Sequence, residues 1–254
     1  MPAGTAFASD FDGTLCQSDW VARTEHFDPA DLDAVRRYQE AGGLFGICTG
    51  RPSFEVAESL RGKLELDFYI AVTGAQILDR NMEPIFERTI PREVAEELYA
   101  LRPKNAGMFL AVSRDQFVEV GESVDPMWPR VGSLAELRSE PFSVSLEFLD
   151  DEDAARIACA RIAADYGDVV APFQNKGSVD IVPAGCSKGV GVRIAREALG
   201  VTCMAGIGDS YNDLPLLEAA DVSYTFHASP EPVREAAGHL VDSVAQALGH
   251  FLSL

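Results

Sequence analysis

Positive charge is scarce in this 254-residue chain: 21 Lys plus Arg stand against 40 Asp plus Glu, a formal net charge of -19. That balance repels polyanions, so nucleic acid and anionic membrane are not expected partners, and a small bound anion needs a local cation of its own. Cysteine is sparse too. Cys16, Cys48, Cys159, Cys186 and Cys203 are odd in number and form no Cys-x-x-Cys pair, which argues against a disulfide framework or structural zinc and for reduced thiols in a cytoplasm. No apolar run approaches the roughly 18 residues of a membrane helix. The start Met1-Pro2-Ala3-Gly4-Thr5 has no basic leader, and no repeat, low-complexity tract or heptad interrupts the chain. His26, His227, His239 and His250 show no metal-ligand spacing, and Trp20 and Trp128 read as packing residues. A soluble, unprocessed, cytoplasmic protein is expected, as a monomer or a small homo-oligomer.

What the chain does have is short apolar runs that end in polar corners. Ala6-Phe7-Ala8 runs as a buried strand into Asp10-Phe11-Asp12-Gly13-Thr14-Leu15. An extended chain throws residues i and i+2 to one side, so Asp10 and Asp12 are expected to share a face while Phe11 points into the core. Two carboxylates beside a Gly and a Thr make an oxygen-rich corner suited to a hard cation and to displacement at phosphorus. The plain alternative is an acidic turn.

Asp28-Pro29-Ala30-Asp31 predicts a helix start, with Leu32, Val35 and Tyr38 on one side and Gly42-Gly43 as its stop. Leu44 to Cys48 reads as a buried strand ending at Thr49-Gly50-Arg51-Pro52. A helix from Ser53 follows with Phe54, Ala57, Leu60 and Leu64 on its apolar side, then a strand from Phe68 to Val72. Strand, helix, strand, helix, strand predicts a parallel sheet with helices on both faces. Gln76 to Leu78 and Pro84 to Phe86 read as a hairpin arm. From about 88 to 182 the pattern changes to hairpins plus two helices (Pro91 to Leu101, Glu152 to Tyr166), an α+β module inserted into an α/β core that comprises residues 1–87 and 183–254. Its strands are expected at Met108 to Val112, Phe117 to Val120 and Val144 to Leu149, and near Val169 and Val179. The core pattern resumes at Ser187, the cap of a helix carrying Val190, Ile194, Ala198 and Leu199. A strand from Thr202 to Ile207 then delivers Gly208-Asp209-Ser210-Tyr211-Asn212-Asp213. Val222 to Phe226 reads as a further strand, and Pro230 to Ala237 and Val244 to Leu252 as closing helices.

Ligands of an open parallel sheet collect beyond the carboxyl ends of its strands. Asp10 with Asp12, Thr49, Lys188, and Asp209 with Asp213 each fall at such an end. Taken singly, each is an ordinary turn or helix residue; together they converge on one edge.

As a set, the segments 10–15, Thr49-Gly50-Arg51-Pro52, Cys186-Ser187-Lys188-Gly189 and 208–213 resemble the four motifs of the haloacid dehalogenase superfamily. The insertion between the second and third resembles the α/β cap of its Cof-like branch. The likeness implies a Rossmann-like core with an inserted cap that confers substrate specificity. The chain departs from the branch at Thr73, where an Asn before Gly-Ala is usual. It further implies Asp10 as nucleophile, attacking phosphorus to give an aspartyl-phosphate, and Asp12 as the acid and then the base. Magnesium would be held by Asp10, the backbone carbonyl of Asp12 and Asp209. The phosphoryl oxygens would be held by Thr49, Lys188, Asn212 and the amides of Phe11 and Gly50, with Asp213 orienting Lys188 or the metal waters.

Electrostatics makes the same demand for cations: a phosphate dianion about 4 Å from a carboxylate costs on the order of 4 kcal/mol per charge pair at an effective dielectric near 20. Arg51 is open between touching substrate and pairing with an acidic neighbour, and Gln174, Asn175 and Lys176 are candidate substrate contacts in the cap. The expected activity is a magnesium-dependent phosphatase of small phosphorylated metabolites, sugar phosphates first among them. The alternatives are a phosphomutase on the same scaffold and a non-catalytic phosphometabolite sensor.

Overall fold

The computed structural model describes residues 4–19, 24–102, 107–122, 129–148 and 151–254. Trp20, Trp128 and Leu149 lie outside them. The first strands are β1 (Thr5–Ser9), β2 (Gln17–Asp19), β3 (Thr24–His26), β4 (Leu44–Cys48), β5 (Phe68–Ala71), β6 (Gln76–Asp79) and β7 (Pro84–Glu87), with helices α1 (Pro29–Glu40) and α2 (Ser53–Leu60) among them. Then come α3 (Arg92–Leu101), β8 (Met108–Val112), β9 (Phe117–Val120), β10 (Arg130–Val131), β11 (Ser143–Glu147), α4 (Glu152–Tyr166), β12 (Val170–Asn175) and β13 (Ser178–Pro183). The chain closes with α5 (Lys188–Leu199), β14 (Cys203–Ile207), α6 (Leu214–Ala219), β15 (Val222–Phe226), α7 (Glu231–Ala236), β16 (His239–Val241) and α8 (Val244–Ser253). Two compact units result, one of residues 1–86 and 187–254 and one of residues 87–186.

The first unit is built on an eight-stranded sheet ordered β16-β15-β14-β1-β4-β5-β6-β7. β1 sits between β14 and β4, parallel to both. Alternation along β1 sorts its side chains: Phe7 enters one apolar cluster with Tyr38 of α1 and Phe251 of α8, while Ala6 and Ala8 enter another with Val192 of α5 and Leu216 of α6. Phe7 packs rings with Phe45, Tyr224 and Phe251 at centroid distances of 5.9, 5.8 and 5.9 Å. Burying such a ring contributes roughly 1.5–3 kcal/mol, so the strand that leads into Asp10 is anchored on both faces.

The second unit has a six-stranded sheet, β10-β9-β8-β11-β13-β12. Its antiparallel strands β8, β11 and β13 put Phe109, Val144, Leu146, Val179 and Ile181 against Leu98 of α3 and Ile162 of α4.

Asp28 caps α1 as expected, accepting from the Ala30 amide at 2.8 Å, and Leu32, Val35 and Tyr38 are buried. Three readings need correction. α2 stops at Leu60, and Val56 lies deeper than Phe54 or Ala57. In α5 the buried side is Lys188, Gly191, Val192 and Ala195; Ala198 is exposed. Ile194 and Leu199 pack against the edge of the same cluster, and the helix comes closest to the sheet at Gly191. A Cβ on Gly191 would stand 2.4 Å from Ile70 Cγ2. Finally, the strand does not continue through Asp12: β1 ends at Ser9, and residues 11–16 fold into a tight turn closed by the Cys16 amide on the Phe11 carbonyl at 2.8 Å. The β2–β3 hairpin, β10, β16 and α6 were not expected.

Candidate active site

β1, β4 and β14 are parallel neighbours, so their C-terminal ends lie side by side. The Asp10 amide prolongs the β1–β14 ladder by donating to the Ile207 carbonyl at 2.8 Å, which fixes the backbone that presents the carboxylate. Thr49 follows β4, with its amide on the Ile70 carbonyl at 2.8 Å and its hydroxyl accepting from the Arg51 amide at 3.1 Å. Asp209 follows β14.

Lys188 comes from the opposite direction, at the first turn of α5. Ser187 is the N-cap, its hydroxyl accepting from the Val190 amide at 3.1 Å. The Lys188 side chain is fully buried and its Nζ donates to Asp10 Oδ1 and to Asp213 Oδ1, both at 2.6 Å. Asp213 uses its other oxygen to accept from the amides of Asp209 and Ser210 at 3.0 and 3.1 Å. Asp213 therefore orients Lys188 and the Asp209 backbone at once.

Three acids gather round one ammonium. Carboxylate oxygens of Asp10, Asp209 and Asp213 lie within 4.8 Å of one another. Burial pushes the Asp10 carboxyl well up, Asp213 and Asp209 push the same way, and Lys188 opposes them. Burial and then Asp213 push Asp209 up as well. Burial pushes the Lys188 ammonium down, but Asp10 and Asp213 outweigh it and hold it well above its usual range. The cluster carries more negative charge than one lysine balances, and its donors are all carboxylate oxygens, the ligands a hard divalent cation takes. Gly13 leaves the space open: a Cβ there would stand 2.7 Å from Asp209 Oδ2. A magnesium ion fits these residues. Thr14 donates to Asp209 Oδ1 at 3.3 Å.

Asp12 behaves differently from Asp10. Its carboxylate turns to Arg51, whose Nε donates to Oδ2 at 2.7 Å and Nη2 to Oδ1 at 2.5 Å. Of the two readings left open for Arg51, pairing with an acidic neighbour is the one the geometry shows. Phe11 is buried as expected and meets Phe27 at 5.9 Å between centroids. Asn212 is half-buried in a 3-10 turn (Tyr211–Asp213), and Gly50 sits at the exposed start of the 50–52 loop. In the second unit, Gln174 donates to the Glu152 and Lys176 carbonyls, both at 3.0 Å, so its amide serves the local loop. Ser18 and Glu25, also bound to Arg51, had no signal in the sequence, because neither adjoins a motif.

The model of the haloacid dehalogenase-like hydrolases matches residues 7–252. Among characterised relatives, 5-amino-6-(5-phospho-D-ribitylamino)uracil phosphatase of Bacillus subtilis is 23% identical, over 96% of this chain and 94% of its own. HMP-PP phosphatase of Shigella flexneri is 24% identical over 97% and 93%. Among solved structures, a subclass IIB sugar phosphatase superposes with a TM-score of 0.81 at 19% identity, covering 98% of this chain and 100% of that one. A haloacid dehalogenase-like hydrolase from Bacteroides thetaiotaomicron gives 0.79 at 22%, covering 97% and 99%. At these identities the structural likeness establishes the fold.

Proposed function

Because this chain belongs to the haloacid dehalogenase-like hydrolases, we propose that it is a magnesium-dependent phosphatase of small phosphorylated metabolites, sugar phosphates first among them, with Asp10 as the nucleophile. The observation that carries the reading is the buried Lys188 ammonium, 2.6 Å from both Asp10 and Asp213 in a cluster of three carboxylates. A phosphate can approach acids so dense only if fixed cations reverse the local sign. The two named relatives, both phosphatases of small molecules by name, support the substrate class.

Asp10 would attack phosphorus, forming a carboxylate oxygen–phosphorus bond as the bond to the leaving oxygen breaks. Asp12 would give its proton to that leaving oxygen, then recover one from the water that attacks the aspartyl-phosphate, regenerating Asp10 and releasing phosphate. Lys188 would neutralise the charge on the phosphoryl oxygens throughout, with the Thr49 hydroxyl and Asn212 as further donors, and Asp213 would hold Lys188 in place. Asp10 and Asp209, with the Asp12 carbonyl, would hold magnesium, which when bound supplies charge neutralisation at phosphorus. We assign substrate selection to the inserted module, residues 88–182.

The test is hydrolysis of p-nitrophenyl phosphate and a panel of sugar phosphates with and without magnesium. Phosphate release that needs magnesium and vanishes in Asp10→Asn supports the reading. Isomerised sugar phosphate in place of free phosphate indicates a mutase instead, and metal-independent turnover contradicts the mechanism.

A further inference from the structure

We propose that Arg51 and Glu25 form a positioning pair for the Asp12 carboxylate, and that the β2–β3 hairpin exists in this fold to supply it. The inference rests on the reading that Asp12 hands a proton to the leaving oxygen. Asp12 stands in a turn, with a side chain 29% exposed, so its own backbone does little to hold one rotamer. The surrounding residues do. The Arg51 fork takes both Asp12 oxygens through Nε and Nη2, and Ser18 of β2 donates to Oδ1 at 2.5 Å.

Arg51 is itself fixed from three directions. Nη1 donates to Glu25 of β3 at 2.6 Å, Nη2 donates to the Ser18 hydroxyl at 3.0 Å, and the guanidinium lies 4.8 Å from the centroid of the buried Phe11 ring. Glu25 is tied in turn by the Ser59 hydroxyl of α2 at 3.0 Å. A planar guanidinium bidentate to one carboxylate and bonded edge-on to a second has its orientation set by both. Such an arginine aims a neighbour. Glu25 gives the guanidinium a second countercharge, so its orientation does not depend on Asp12 alone. Glu25 and Ser18 thereby acquire a role in the reaction although neither adjoins a recognised motif.

Leaving-group chemistry tests this. A nitrophenolate departs without a proton, whereas a sugar alkoxide needs one, so a misaimed Asp12 slows the second kind of substrate selectively. kcat/KM is the parameter to compare, since it covers steps only through phosphoryl transfer to Asp10. In the magnesium-loaded protein, Glu25→Gln and Arg51→Lys are expected to lower kcat/KM on a sugar phosphate about tenfold or more, within the range of general acid catalysis. On p-nitrophenyl phosphate the loss in kcat/KM should stay under about threefold, with thermal melting within a few degrees of wild type. Equal losses on both substrates would reduce the pair to a structural contact. A raised KM on both, together with weaker inhibition by inorganic phosphate, would make Arg51 a phosphate ligand. Either result overturns the proposal. Wild-type protein that cleaves neither ester would instead overturn the phosphatase reading on which it rests.

Discussion

Lys188 is a charge held wholly inside the protein, and its neighbours decide what its removal does. Lys188→Met leaves Asp10 and Asp213 facing each other with no ammonium between them. Removing one partner of a buried ion pair costs about 3 kcal/mol or more, and the variant should also lose phosphatase activity almost entirely. Chemical denaturation and turnover on p-nitrophenyl phosphate check the two halves. Thr73 offers the reverse case. It is a buried β-branched residue at φ 54°, ψ 36°, a left-handed conformation that Asn tolerates and Thr resists. Thr73→Asn should raise stability by about 0.5–1 kcal/mol in a urea titration. The departure at Thr73 was visible in the sequence, but its meaning lay in the backbone angle.

Elements show why the chain could be read so far and no further. Strands ending in Asp10, Thr49 and Asp209 were legible because a buried parallel strand is a short continuous apolar run, and the polar residue that ends it stands out. α5 was legible as a helix, and of the residues named on it Ile194 and Leu199 pack against the core while Ala198 is exposed. Its buried side runs through Lys188 and Gly191, two residues that a hydrophobic pattern counts as outward. Gly191→Ala tests that contact: the added methyl meets the stiff Ile70 side chain at 2.4 Å. Overpacking there should outweigh the better helix propensity and destabilise by about 1–2 kcal/mol. Because the same helix carries Lys188, kcat should fall with it. The β2–β3 hairpin escaped because Gln17-Ser18-Asp19 and Thr24-Glu25-His26 are polar and short, with no apolar alternation to announce them.

In the second unit, β11 and β13 bring Glu147 against Ser178 and near Asp180. Burial pushes the Glu147 carboxyl up to about 7, and Asp180 adds to it. The sign follows from linkage. The unfolded chain releases this proton near the usual glutamate value and the folded one near 7, so stability is lost as pH rises between those points. Glu147→Gln keeps the hydrogen bond from Ser178 and has no charge to lose. Its melting temperature should therefore change less between pH 5 and 8 than wild type does, and exceed it at pH 8.

Across the whole molecule the dominant quantity is the net charge of -19. An anionic substrate diffuses toward a protein that repels it at long range, while the attraction of Lys188 is confined to the pocket. Screening shortens the repulsion to roughly 10 Å at 0.1 M salt. Raising ionic strength from about 10 mM to 0.1 M should therefore increase kcat/KM for a phosphate monoester, opposite to an enzyme that steers its substrate. Stopped-time assays at fixed magnesium measure it. No helix among the described residues is long and apolar enough to cross a membrane.

The claim beneath all of this is that phosphorus passes through the Asp10 carboxylate. Mass spectrometry of protein quenched in acid during turnover of a phosphate monoester addresses it directly. The account predicts a peptide containing Asp10 that is heavier by one phosphoryl group, and no such peptide from Asp10→Asn or from protein stripped of magnesium. Turnover that continues in Asp10→Asn, with no phosphorylated peptide from either protein, would contradict it.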